Sequence, residues 1–308
     1  MKKIVSIGEV LMDVYSDENG VKAEVGGASF NVSCSIAALG TNESYFMGSL
    51  GNDEYKDEIL KYVDKYDVKK DFIQNSNKPT TIAKVTLDEN KERFFQFIRN
   101  SDAEFDLNKY KNDELNKIDL IHFGSATGFL EGNLKKSYSM LLELAVRNNI
   151  KISFDPNFRD KLWTTPNEVE EFKTHCKKYI ESADLIKLSD EELILVTGIE
   201  DEVKALEHLI KLNNKSLICI TRGCEDTMCV WNGEILYVPV KICDNLVDTT
   251  GAGDAFISNL INEYVNENIN QNSSKEKIID IVSKSNIFAN NAVRYIGAIT
   301  FLDNLNKE

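Results

Sequence analysis

The densest chemistry in the chain is Asp248-Thr249-Thr250-Gly251-Ala252-Gly253-Asp254, which runs into an amphipathic stretch beginning at Ala255-Phe256. Two glycines, two threonines and two aspartates in seven residues exceed the needs of a helix cap, although one aspartate in a first turn is ordinary. Glycine lets a backbone approach a ligand closely, and the first N–H groups of a helix lack partners within it. Such a loop holds an anion at the positive end of a helix dipole, with the Asp254 carboxylate beside it. No glycine here precedes a lysine, so this is not a P-loop, and Phe256 stands where a dinucleotide fingerprint needs its third glycine.

Other runs carry polar groups with a plainer alternative beside each. Asp13 and Asn31, the latter within Gly26-Gly27-Ala28-Ser29-Phe30-Asn31-Val32-Ser33, suit a polyol, since a carboxylate accepts from vicinal hydroxyls and an amide both donates and accepts. A strand end and a helix start would use the same residues. Ser189-Asp190-Glu191-Glu192 has the spacing of a capping box. Asp155-Pro156-Asn157 suits a strand-ending turn, with Arg159 a surface partner for an acid.

Taken together, these runs resemble one family. D-T-x-G-A-G-D is similar to the second signature of the ribokinase-like, or PfkB, carbohydrate kinases. The Gly26–Ser33 run, followed by Ala37-Ala38-Leu39-Gly40 and Gly48-Ser49-Leu50-Gly51-Asn52-Asp53, is similar to the first. Gly8-Glu9-Val10-Leu11-Met12-Asp13, the Asp155–Arg159 run, residues 187–192, Thr221-Arg222-Gly223 and Gly297-Ala298 follow in the expected order over nearly the whole chain.

The resemblance implies ATP-dependent phosphorylation of a sugar hydroxyl. Asp254 would be the general base, with Gly251, Ala252 and Gly253 donating to the transferring phosphoryl group, chemistry that depends on positioning and charge neutralisation. Asp13 and Asn31 would hold the sugar, with Gly27 admitting it to the backbone. Glu192 would organise hydrated Mg²⁺, while Ser189 replaces the family's asparagine next to the nucleotide. Thr221, Arg222 and Gly223 would approach the nucleotide phosphates, with Asp226 in place of a frequent glycine and tolerant of a left-handed conformation. Asp248 and Thr250, with carbonyls near Ala292, Tyr295 and Gly297, match a K⁺ site.

The stretch Asp155–Arg159 with Leu162-Trp163, and Arg99 placed as a lid arginine, look most like fructokinases and then 2-keto-3-deoxygluconate kinases. Asn157, Arg159 and Arg99 are thus expected at the substrate. Two arginines would stack on a neutral sugar or fork a carboxylate, and the sequence leaves that choice open. A sensor that kept the fold and lost turnover is the rival from another class. It would have no need of Asp254 and Glu192 together with both glycines.

The elements that must position these residues follow from periodicity. From residue 118 onward, apolar runs at 118–123, 150–154, 184–188, 216–221 and 227–231 alternate with amphipathic stretches at 134–147, 167–181, 201–212, 254–265 and 275–293. That is an α/β domain with a mostly parallel central sheet and helices on both faces, and ligands in such sheets gather at the carboxyl ends of the strands. Residues 80–87 and 92–99 around Asp88-Glu89-Asn90-Lys91 predict a hairpin, as do 10–15 and 21–25 around Asn19-Gly20. The expectation is one ribokinase-like domain over 1–308 with a small β lid from about 10–25 and 79–99. Phe94, Phe95, Phe97 and Ile98 put apolar groups on both faces of one lid strand, so the main domain or a second copy should cover it, which suggests a homodimer.

Composition sets the outer limits. The 308 residues suffice for a large core, and 42% hydrophobic with 28% charged residues excludes general disorder. A formal charge of −14 argues against nucleic acid as a partner but not against a small phosphate ligand. No apolar run spans a bilayer and Met1-Lys2-Lys3 leads into a strand, so a cytoplasmic protein without a membrane partner is expected. Six cysteines without a C-x-x-C pair suggest reduced thiols, and three scattered histidines give no metal motif.

Overall fold

The computed structural model describes residues 1–17, 20–87 and 93–305, with backbone only at 16–17, 85–87 and 93–95. The chain opens with β1 (Lys3–Ile7), enters a lid through β2 (Leu11–Asp17) and β3 (Gly20–Gly26), and returns by α1 (Ala28–Leu39) to β4 (Glu43–Leu50). After α2 (Tyr55–Tyr66) and β5 (Ile73–Asn75) it revisits the lid as β6 (Thr81–Leu87) and β7 (Arg93–Ile98). Following α3 (Asn112–Leu115), strands and helices alternate as β8 (Leu120–Phe123), α4 (Asn133–Asn148), β9 (Lys151–Phe154), α5 (Pro166–Ser182) and β10 (Leu185–Ser189). Helices α6 (Asp190–Thr197) and α7 (Glu202–Leu212) then lead to β11 (Leu217–Arg222), β12 (Glu225–Trp231) and β13 (Glu234–Val238), and α8 (Ala252–Asn266) and α9 (Lys275–Ala292) follow.

The large sheet has the order β13-β12-β11-β10-β9-β8-β1-β4-β5, parallel from β11 to β5 and antiparallel at β12 and β13. Strand pleating sends alternate residues to opposite faces. Ile218 and Ile220 pack into the layer holding Leu141 of α4 and Phe172 of α5, while Leu217 and Cys219 pack against Phe256 and Leu260 of α8 and Ile281 of α9. Each such side chain, fully buried, stabilises the fold by about 1.5–3 kcal/mol. This double covering fixes the carboxyl ends of the strands as a rigid rim. The strands and helices expected from residue 118 onward are present, while α6 and β13 come in addition to them.

The second sheet has the order β3-β2-β6-β7. Its two antiparallel pairs are the expected hairpins, but β2 pairs with β6 in parallel, from Leu11↔Thr81 to Ser16↔Thr86, and this joins both hairpins into one lid. The turn residue Asn19 and the whole Asp88–Lys91 turn lie outside the described residues, as do the side chains of Phe94 and Phe95. Ile98 is 40% exposed, so the main domain does not cover that position, and Val21 on β3 is 72% exposed. No helix among the described residues is long and apolar enough to cross a membrane.

Candidate active site

Two helix N-termini converge under the lid. Gly251 caps α8 at φ 77°, a left-handed conformation, and a Cβ there would sit 2.6 Å from Cα of Ala298, so only glycine suits the turn. Asp248 fixes the approach to it: Oδ1 accepts from the Thr250 N–H (3.0 Å) and hydroxyl (2.7 Å), and Oδ2 accepts from the Gly297 N–H (2.9 Å). Three of the five expected K⁺-site residues therefore meet around one carboxylate. The Ala292 carbonyl accepts from the Tyr295 N–H at 3.2 Å.

Asp254 lies in the first turn of α8, 8% exposed, and its Oδ2 accepts from Nδ2 of Asn31 at 2.9 Å. Asn31 comes from the first turn of α1, whose cap Gly27 adopts φ 107° with room for no more than a hydrogen, because a Cβ would approach the Glu9 carbonyl oxygen to 2.7 Å. Oδ1 of Asn31 is buried and has no hydrogen-bond partner among the described residues, an acceptor waiting for a donor. Burial pushes the Asp254 carboxyl up to about 6, against the opposing pull of the Asn31 amide and the Arg159 charge.

Asp13 faces the same space from the lid. Burial and the neighbouring Glu24 carboxylate raise its pKa to about 6, with Arg159 and Asp254 also within electrostatic reach. Glu9, missed by the sequence reading, props this floor. Its Oε1 accepts from the Ala28 N–H at 2.9 Å, its Oε2 accepts from the Ser125 hydroxyl, and burial lifts it to about 7.

The loop after β9 brings Arg159 over the cleft, while Asn157 acts as a strut. At φ 47°, Asn157 donates to the Gly124 carbonyl (2.8 Å) and accepts from the Arg159 guanidinium (2.9 Å). Arg99 does not join them. Its guanidinium is held by buried Asp102 at 2.9 Å and donates to the Glu131 carbonyl at 2.9 Å, so its fork is already engaged.

Ser189 and Glu192 form the capping box. The Ser189 hydroxyl accepts from the Glu192 N–H (3.1 Å) and Glu192 Oε2 from the Ser189 N–H (2.8 Å), while Oε1 accepts from the Phe158 N–H (2.8 Å). Glu192 thereby ties α6 to the loop carrying Arg159, and each oxygen keeps a lone pair for a water. Both residues line a cleft of about 560 Å³ with Gly251, Gly253 and Asp254.

An adjoining apolar cleft of about 360 Å³ has Thr221, Arg222 and Gly223 at its edge and Phe256, Ala289 and Val293 as its wall. The sequence reading placed the first three and missed the wall, whose residues look like ordinary helix core. The Arg222 guanidinium donates twice to the Asp226 carbonyl (2.9 and 2.7 Å) and pairs with Glu225, so it shapes the turn. The left-handed residue of that turn is Gly223 at φ 58°, and Asp226 lies within β12, contrary to the conformation expected of it.

The most consequential omission is Lys187, on β10, paired at 3.0 Å with Asp155 beside Gly253. A lysine inside an apolar run of a two-face-buried strand was the available signal. Among the described residues no three His, Cys, Asp or Glu side chains cluster as a metal site.

Over 280 residues the chain is 34% identical to fructokinase-2 of Solanum habrochaites, covering 85% of this chain and 81% of that one. Its fold is ribokinase-like: a fructokinase from Xylella fastidiosa with bound ATP superposes with a TM-score of 0.85 at 23% identity, over 97% of this chain and 94% of that one. A fructokinase from Vibrio cholerae O395 in its fructose-, ADP- and calcium-bound form gives 0.82 at 22% identity, over 98% and 96%. With the pattern of the pfkB family carbohydrate kinases matched from residue 1 to residue 305, the chain belongs to that family.

Proposed function

We propose that this sugar kinase transfers the γ-phosphoryl group of ATP to the primary hydroxyl of fructose, giving fructose 6-phosphate. The observation that carries the reading is the meeting of Asn31 and Asp254 where the N-termini of α1 and α8 converge. Asn31 and Asp13 hold sugar hydroxyls, Asp254 takes the proton of the attacking one, and the N–H groups at Gly251, Ala252 and Gly253 receive the phosphoryl oxygens. The apolar cleft takes the base, with Thr221, Arg222 and Gly223 toward the phosphates and Ser189 beside them. Mg²⁺ supplies charge neutralisation on those phosphates, with Glu192 able to orient its water. Asp248, Thr250 and the carbonyls of Ala292, Tyr295 and Gly297 would hold K⁺.

A neutral ketose is favoured over an acid sugar. Arg99 is paired with Asp102, and a sugar carboxylate would face Asp13, Glu24 and Asp254, with Arg159 the one arginine among the described residues lining the cleft. The exposed apolar residues Val21 and Ile98 on the outer lid strands suit a homodimer through the lid, and dependence on ATP is compatible with a cytoplasmic location.

The test is kcat/KM, from ADP release, for fructose, ribose, 2-keto-3-deoxygluconate and a nucleoside. Fructose should lead. A preference for the acid sugar that collapses in Arg159→Ala would move the assignment to 2-keto-3-deoxygluconate.

A further inference from the structure

Lys187 is out of place as a structural residue. Its side chain is 8% exposed in the central sheet, and Asp155, its ion-pair partner among the described residues, is fully buried. A lone buried pair is a poor stabiliser, because desolvating both charges offsets their attraction. Its position is better explained by what lies beyond it. Nζ is 3.0 Å from where a Cβ on Gly253 would stand, so the ammonium abuts the first turn of α8. It lines the 560 Å³ cleft together with Gly251, Asp254 and Glu192. Among the described residues lining that cleft, Arg159 and Lys187 are the two cations, and Arg159 is exposed with its guanidinium turned to the Phe158 carbonyl and the Asn157 side chain. Although burial pulls its pKa down, the Asp155 and Glu192 carboxylates outweigh that and hold Lys187 above its ordinary value, an ammonium at any physiological pH.

We propose that Lys187 is a catalytic cation of the phosphoryl transfer: its ammonium contacts an equatorial oxygen of the γ-phosphoryl group, and Asp155 is the positioning residue that aims it. This rests on the kinase reading above. In the step, the sugar oxygen forms its bond to phosphorus as its proton passes to Asp254. The bond from phosphorus to the β,γ-bridging oxygen breaks, and ADP leaves with the electron pair. Lys187 keeps its protons throughout and offsets charge on the oxygens in flight. Removal of Asp155 alone would leave the ammonium without its anchor.

The experiment compares wild type with Lys187→Met, which keeps length and removes charge, and with Lys187→Met/Asp155→Asn, which leaves no orphan carboxylate in the core. Calorimetry measures binding of ADP and of the β,γ-imido analogue of ATP, alongside kcat with fructose. The contact predicts that kcat falls roughly 10²-fold in Lys187→Met. In both variants affinity for the triphosphate analogue should drop about tenfold or more, as expected for a charge-assisted hydrogen bond, with ADP affinity changed less than about twofold. Equal losses for ADP and the analogue, or a double variant with wild-type kcat and wild-type discrimination, would reduce Lys187 to a fold ion pair and overturn the proposal. A wild type that binds neither nucleotide would overturn the kinase reading and this proposal with it.

Discussion

As the proposed base, Asp254 would meet two opposed demands, since a base must be ionised and a reaction centre must exclude water. Burial raises its carboxyl to about 6, while Asn31, Arg159 and Lys187 pull it back toward the charged form. A base works deprotonated, so kcat/KM for the sugar should fall about tenfold per pH unit below about 6, which a pH–rate profile checks. Stability runs the other way. Because the folded pKa lies above the ordinary carboxylate value, Asp254 contributes stability below about pH 4 that is lost as pH rises through 6. At pH 8 the buried charge costs on the order of 1–3 kcal/mol. Asp254→Asn should therefore melt at a higher temperature than wild type at pH 8, with the gain shrinking toward pH 5, and a lower melting temperature at pH 8 would contradict this account. Asp254 and Asn31 were legible because their neighbours are glycines in signature order. The pairing of Lys187 with Asp155 was not, since they lie 32 positions apart and nothing in the spacing joins a lysine in one strand to an aspartate after another. For Arg99, spacing reveals nothing of Asp102, whose buried carboxylate pairs with it.

At the scale of elements, the chemistry depends on how helices begin. Gly251→Ala places a methyl into Ala298 and a side chain at φ 77°, so the first turn of α8 must shift. Turnover should drop at least tenfold with the fold retained, as kinetics and a thermal melt would show. Glu192 accepts from two backbone N–H groups, so Glu192→Ala should cost about 1–3 kcal/mol in denaturant unfolding from the orphaned donors. The second half of the sheet was readable because its strands are largely apolar runs set among amphipathic helices, such as α5 with its Thr165–Glu168 capping box. The lid was readable only as two hairpins. The parallel pairing of β2 with β6 spans some seventy residues, and hydrophobic alternation carries no record of which neighbour a strand will choose. If the lid's apolar edge is the subunit contact, Val21→Glu should shift the protein from dimer to monomer in sedimentation, and a wild type already monomeric would remove that surface from consideration.

For the whole molecule, a net charge of −14 is compatible with a phosphate ligand because Lys187, Arg159 and the helix N-terminus at Gly251 line one cleft at the rim of the sheet. The ends of β9, β10 and β11 and the starts of α1 and α8 supply that rim, while the lid sets Asp13 over it. Fold class and this convergence could be foreseen, because parallel sheets gather ligands at their carboxyl ends. The apolar wall of the second cleft could not, since Phe256, Ala289 and Val293 are indistinguishable in sequence from core. The most direct measurement is ADP release from MgATP with and without fructose, in wild type and in Asp254→Asn, with fructose binding measured in both. Fructose-dependent release in wild type, lowered at least about 10²-fold in the variant while binding persists, is the predicted result. No fructose-dependent release, or equal release in the two proteins, would contradict it.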